Sequence, residues 1–213
     1  MKNNNYVTKY LKEVINISKS IDKRKLNKLI ERILKLKKEK GRIFFIGVGG
    51  SASNCSHAVN DFRKIAEIES YTPLDNVSEL TARTNDEGWE TVFSTWLHRS
   101  RLSKKDLVFV LSVGGGSIKK NVSVNIIKAI DYSISKKCDI AGIIGRDGGY
   151  VNKKSKFCVI IPTQSIETTT PHAESWQAVI WHLIVNDPRL LSYSNKWETI
   201  DKKTNKKKKF KKN

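Results

Sequence analysis

Two stretches combine glycine and serine in a way that suits anion binding: Gly47-Val48-Gly49-Gly50-Ser51 and Ser112-Val113-Gly114-Gly115-Gly116-Ser117. Each follows an apolar run and leads into a helical stretch. Glycine lets backbone N–H groups approach an anion closely, a helix N-terminus adds positive potential, and serine supplies hydroxyl donors. That is phosphate chemistry. The first stretch lacks the Lys-Ser/Thr of a Walker loop, and its spacing is not the Gly-x-Gly-x-x-Gly of a dinucleotide fold with an acid about 20 positions later. Plain tight turns between strand and helix remain the other reading.

Acids and imidazoles lie near these stretches. His57 and Asp61 are four apart on the helix after the first one, hence on one face, a spacing suited to a metal pair or to a histidine oriented by a carboxylate; a solvated surface pair is the alternative. His172, Glu174 and His182 share the last helix, His182 within the apolar run 176–184. A histidine there is a catalyst or a hydrogen-bonded core residue.

Positioning these groups requires βα alternation. Short continuous apolar runs predict strands at Arg42 to Gly47, Leu107 to Ser112, Ile140 to Ile144 and Cys158 to Ile161, with a weaker one at Glu67 to Tyr71. Helical periodicity predicts Ser51 to Ile65, Glu87 to Arg99, Ser117 to Ser135 and Pro171 to Val185, the last capped by Thr170. The expected fold class is α/β: a doubly wound, mostly parallel five-stranded sheet flanked by helices. In such sheets ligands bind beyond the carboxyl ends of the strands, where both glycine stretches fall. Ahead of it, Tyr6 to Lys40 reads as an amphipathic helical pair, broken where Ser20 or Asp22 can cap. Its apolar stripe needs cover, from the chain's own sheet or from a second subunit. Three regions follow: 1–41, helices for oligomer packing; 42–198, the ligand-binding domain; 199–213, a disordered lysine-rich tail.

Of the net charge of +19, 17 units lie in residues 1–42 and 201–213, so the middle is nearly neutral. A nucleic-acid face needs its charge on a folded surface. The tail is read as a solubilising end, or at most a weak, salt-sensitive contact with RNA or anionic lipid. Cys55, Cys138 and Cys158 form no Cys-x-x-Cys pair, which fits buried thiols in a reducing compartment. No apolar run approaches the roughly 20 residues of a membrane span, and Met-Lys-Asn-Asn-Asn lacks an apolar signal core. A cytoplasmic protein is expected.

Taken together, from Arg42 to about Asp187 the chain resembles the SIS-domain (sugar isomerase) phosphoheptose isomerases. The likeness rests on Gly49-Gly50-Ser51 with His57 six residues on, Asn85-Asp86-Glu87-Gly88-Trp89 followed by Phe93-Ser94, Ser112 to Ser117, Gly145-Arg146-Asp147-Gly148-Gly149, and the final helix with Glu174 and His182. The resemblance implies an SIS fold and a homotetramer with sites between subunits. It implies phosphate held by Gly49, Gly50, Ser51, Ser112, Gly114, Gly115, Gly116 and Ser117, with Asn85 and Asp86 near the sugar. Asp61 and His182 would move protons as base and acid in an aldose–ketose isomerisation of sedoheptulose 7-phosphate through an enediol. Some members hold zinc with groups matching His57, Asp61, Glu174 and His182; the last two lie about 12 Å apart along one helix, so a shared ion needs extended side chains.

The sequence departs from that family in four places. Val48 stands where Asn is usual, Val113, Gly114 and Gly116 stand for Thr, Ser and Asn, Asp61 replaces Glu, and Glu174 replaces Gln. Asp61 reaches about 1 Å less far than Glu, enough to cost about a hundredfold if nothing compensates. Retention of acid and histidine together favours the isomerase; the depleted loop favours a non-catalytic phosphosugar-binding protein with a regulatory or protein-docking role. Nucleic-acid binding through the basic ends is a third reading.

Overall fold

A computed structural model describes residues 4–197, 199 and 200. In chain order the elements are α1 (Asn4–Ser20), α2 (Lys23–Lys38), β1 (Ile43–Ile46), α3 (Gly50–Lys64), β2 (Ser70–Tyr71), α4 (Val77–Glu87), α5 (Val92–Arg99), β3 (Leu107–Ser112), α6 (Val124–Ser135), β4 (Asp139–Ile144), α7 (Gly149–Lys154), β5 (Phe157–Ile160) and α8 (Thr169–Val185). The five strands form one sheet in the order β2-β1-β3-β4-β5, every neighbouring pair parallel.

β1 and β3 are buried along their whole length, as two-sided cover demands. Alternate residues feed opposite faces. Phe45, Leu107, Phe109 and Leu111 join a core with α2, α3 and α8. Phe44, Ile46, Val108 and Val110 join a second core with α5 and α6. Phe45 stacks on Phe109 and meets Phe62 of α3, with ring centroids 5.0 and 5.2 Å apart. Beneath the sheet, buried Asp106 accepts hydrogen bonds from the Arg42 backbone and guanidinium and from Ser103, tying the starts of β1 and β3 together. Burial raises its pKa, but those bonds outweigh burial and hold the carboxyl below its ordinary value.

Asp22 caps α2, its Oδ1 accepting from the N–H groups of Arg24 and Lys25 at 2.9 and 3.2 Å. The two N-terminal helices then divide. α2 packs on the sheet and buries Leu26, Leu29, Ile30, Ile33 and Leu36, so it belongs to the same core as residues beyond 42. α1 contributes Ile17 and Glu13 but leaves Tyr6, Val7, Leu11 and Ile15 more than half exposed.

Several boundaries differ from the sequence reading. The helix expected from Ser117 begins at Val124, because Ser117 and Val122 close a small antiparallel bridge and Asn121 and Ser123 take left-handed φ of 50° and 53°. The span Glu87 to Arg99 is broken at Gly88, whose φ of 84° ends α4, and α5 starts at Val92. α8 begins at Thr169 after Thr168, one turn of chain that also holds Pro171 where no N–H partner is needed. α7, six residues long, carries too little periodicity to be seen in sequence. The tail at 201–213 lies outside the described residues.

Candidate active site

The turn after β3 borders a cleft of about 1060 Å³ beyond the carboxyl ends of the strands. Ser112, Gly114, Gly116 and Ser117 line it, with Arg146 and Tyr150 beside them. Gly115 and Gly116 have φ of 69° and 81°, the left-handed region in which glycine is unstrained. Ser112 Oγ accepts from the Gly115 N–H at 3.0 Å, and Ser117 Oγ from the Lys120 N–H at 3.3 Å. Each hydroxyl therefore keeps its own proton to donate. Tyr150 and Val151 donate their N–H groups to the carbonyls of Gly116 and Gly115, tying α7 to the turn.

The first glycine stretch behaves differently. Only Val48 of it reaches the cleft, among the described residues. Ser51 is buried beneath α8, its Oγ accepting from Gln177 Nε2 at 3.0 Å, while Asn54 Nδ2 donates to Gln177 Oε1 and to the Glu174 carbonyl. The Glu174 carboxylate packs against Gly50, where a Cβ would lie 2.5 to 2.6 Å from it. Gly50 and Ser51 thus join α3 to α8, and with Gly49 they do not line the cleft within one chain. Asn85 and Asp86 sit exposed in the last turn of α4, Asn85 donating to Asp86 at 2.8 Å, and they also lie off the cleft.

The acid and imidazoles do converge. Asp61, on α3 and 9% exposed at its side chain, turns Oδ2 toward His57 Nε2 at 3.5 Å and toward His182 Nε2 of α8 at 3.3 Å. One ligand atom from each residue lies within 4.8 Å of the others. The two imidazoles are about half exposed and meet edge to face at 5.3 Å. Zinc bonds of 2.0 to 2.2 Å in tetrahedral geometry place ligand atoms about 3.4 Å apart, so the Asp61–His57 and Asp61–His182 spacings suit such an ion and leave a fourth position open. Glu174, the fourth residue of the set implied by the resemblance, lies two turns of helix before His182 with its carboxylate at Gly50, outside this group of three.

Two further donors fix the carboxylate. Asn60 Nδ2 gives a hydrogen bond to Asp61 Oδ1 at 3.1 Å, and the indole N–H of buried Trp181 gives one to Oδ2 at 3.2 Å. Sequence reading passed over Trp181, Gln177 and Asn54. A clue was present in the latter two, polar residues three places beyond Ser51 and Glu174 on the helix faces that meet. Trp181→Phe removes the indole donor and, because Trp181 is fully buried in the core, also leaves a small cavity. It is expected to cost about 1–3 kcal/mol in denaturant unfolding, and that cost should shrink in an Asp61→Ala background, as a double-mutant cycle would reveal.

The core-histidine role considered for His182 is filled instead by His172. Its Nε2 meets Glu13 Oε2 of α1 at 2.9 Å, Thr168 Oγ1 donates to the same oxygen, and Tyr10 stacks on the ring at 4.4 Å. The His172 bond, followed by that from Thr168, holds the Glu13 carboxyl below its ordinary range. The three cysteines are buried, and desolvation pushes the thiols of Cys138 and Cys158 up to about 12, so they are poor nucleophiles and poor ligands.

A five-stranded parallel sheet in this order, with a glycine turn at a central strand end and helices on both faces, is the sugar isomerase (SIS) fold. The chain superimposes on a phosphoheptose isomerase from Neisseria gonorrhoeae with a TM-score of 0.73, covering 87% of this chain and 96% of that one at 21% identity. A phosphoheptose isomerase from Francisella tularensis gives 0.73 at 15% identity, over 87% and 95% of the two chains. In sequence it is 26% identical to the phosphoheptose isomerase of Aneurinibacillus thermoaerophilus over 207 residues, 92% of this chain and 99% of that protein. No protein-family model matches the chain. By sequence and fold together, the chain is a relative of the SIS-domain phosphoheptose isomerases.

Proposed function

We propose that this protein is an aldose–ketose phosphate isomerase that converts sedoheptulose 7-phosphate into D-glycero-D-manno-heptose 7-phosphate. The observation that carries this reading is the convergence of His57, Asp61 and His182, three groups from two helices gathered around one carboxylate oxygen. Isomerisation needs a base to take the proton from carbon 1 of the ketose, and an acid to protonate the oxygen on carbon 2 as the enediol forms. Asp61 is the base and His182 the acid. Asp61 is held by Trp181 and Asn60 in the one orientation that faces both imidazoles, which offsets part of its short reach. Zinc held by His57, Asp61 and His182 would supply Lewis-acid polarisation of the substrate oxygen in place of proton donation by His182, whose Nε2 would then be a ligand. The phosphate is assigned to Ser112, the turn 114–116 and Ser117, where glycine N–H groups stand in for the missing side-chain donors.

The assembly proposed is a homotetramer. Thr169 on the cleft rim and His182 are 13 residues apart on α8, roughly 20 Å by helical rise, farther than one phosphoheptose spans. A cleft from one subunit facing the trio of another would close that gap, and would give the exposed stripe Val7, Leu11 and Ile15 on α1 a partner. Such an arrangement would also let Asn85 and Asp86 approach a neighbour's sugar. Among the described residues no helix is long and apolar enough to cross a membrane, and free buried thiols fit the cytoplasm.

The test is direct. Purified protein incubated with sedoheptulose 7-phosphate, followed by NMR of the anomeric protons, is expected to yield an aldose phosphate. No turnover of this or any other ketose phosphate, with or without added Zn²⁺, would overturn the reading.

A further inference from the structure

The cleft carries more positive charge than one phosphate uses. Lys119, Lys120, Arg146 and Lys153 all line it. None of the four has an ion-pair partner among the described residues, and the cleft's one carboxylate, Asp147, accepts the Gly149 N–H at 3.2 Å. They come from three places around the same turn: the bridge-closed lip 117–122, the turn after β4, and α7. Backbone bonds from Tyr150 and Val151 fasten α7 to Gly116 and Gly115, so Lys153 is carried on a support fixed to the turn. The stem of Arg146 lies over Gly114, with Cδ 3.6 Å from where a Cβ would stand. That keeps its side chain beside the glycine turn.

Charge then discriminates between ligands. The four cations and Asp147 leave a net charge of +3. A monophosphate brings about −1.5 to −2 at neutral pH and a bisphosphate about twice that, so only the second matches the cleft. The volume, about 1060 Å³, lies at the upper end of pockets that hold drug-sized ligands and exceeds what a heptose monophosphate fills.

We propose that the cleft binds sugar bisphosphates: one phosphate at the glycine turn beside Arg146, the other among Lys119, Lys120 and Lys153. This inference rests on the phosphosugar reading of the turn and extends it. A ketose phosphorylated at carbon 1 has no free hydroxyl there to become the aldehyde, so it cannot isomerise. It occupies the site as a competitive inhibitor.

The matched probes are sedoheptulose 7-phosphate and sedoheptulose 1,7-bisphosphate, titrated calorimetrically into the full-length protein. The bisphosphate is expected to bind about tenfold tighter at low salt, and to lose that advantage as salt rises. In Lys119→Gln/Lys120→Gln/Lys153→Gln the advantage should fall below about threefold, with the melting temperature unchanged because all three side chains are exposed. Equal affinities, an advantage that survives in the triple variant, or equally tight binding of tripolyphosphate would each overturn the proposal. The two readings separate cleanly: a lysine-dependent gain from the second phosphate without turnover of sedoheptulose 7-phosphate supports the bisphosphate site and counts against the isomerase, whereas turnover without that gain does the reverse.

Discussion

His182→Ala is expected to lower kcat for the isomerisation by about 10²–10⁴-fold, the usual share of a positioned proton donor, while calorimetric affinity for the phosphosugar changes little. Asp61→Asn should do the same. It keeps the size of the side chain, but its single amide oxygen can accept from Trp181 or from Asn60 and not from both, so the melting temperature of the variant is read alongside its rate. The two substitutions together should cost hardly more than either alone, because acid and base act on one proton path. Binding lost in parallel with rate would instead place these residues with ligand affinity, and full rate in either variant would remove the pair from the chemistry.

The largest structural effect is expected at Gly115. A Cβ there would run into the carbonyl of Gly148, at a φ of 69° that already disfavours any side chain. Neither the turn nor the start of α7 can yield, since Val151 N–H is bonded to the Gly115 carbonyl. Gly115→Ala is therefore expected to cost roughly 3–5 kcal/mol, to lower the melting temperature by on the order of 10 °C, and to abolish phosphosugar binding. Gly114→Ala is the control: its Cβ would meet only Arg146 Cδ at 3.6 Å, at an ordinary φ, so a change under about 1 kcal/mol is expected. Similar losses at both positions would show that the turn is not the rigid element described.

Much of this was legible in the sequence because burial writes a simple code. β1, β3 and β4 are covered on both faces, so they read as unbroken apolar runs, and the parallel sheet followed. The pairing of His57 with Asp61 needed only the pitch of one helix. What stayed hidden depended on contacts between distant segments. Nothing local indicates that Ser51 would be covered by Gln177, 126 positions away, or that Glu174 would turn to Gly50 and leave the imidazoles. Likewise the stretch 117–123 looked helical by composition, yet its bridge and two left-handed residues make it a lip of the cleft. The two glycine stretches looked equivalent by composition; position relative to α8 separates them.

The buried link of Glu13 to His172 and Thr168 joins the outermost helix to the segment that borders the cleft, because Ile166 and Thr169 on either side of Thr168 line it. The amino-terminal segment is therefore a handle on the pocket wall. A fused domain, a cut within the first helix or a neighbour gripping its bare outer stripe would all pull on that wall, so whatever happens at the beginning of the polypeptide is felt in the cleft.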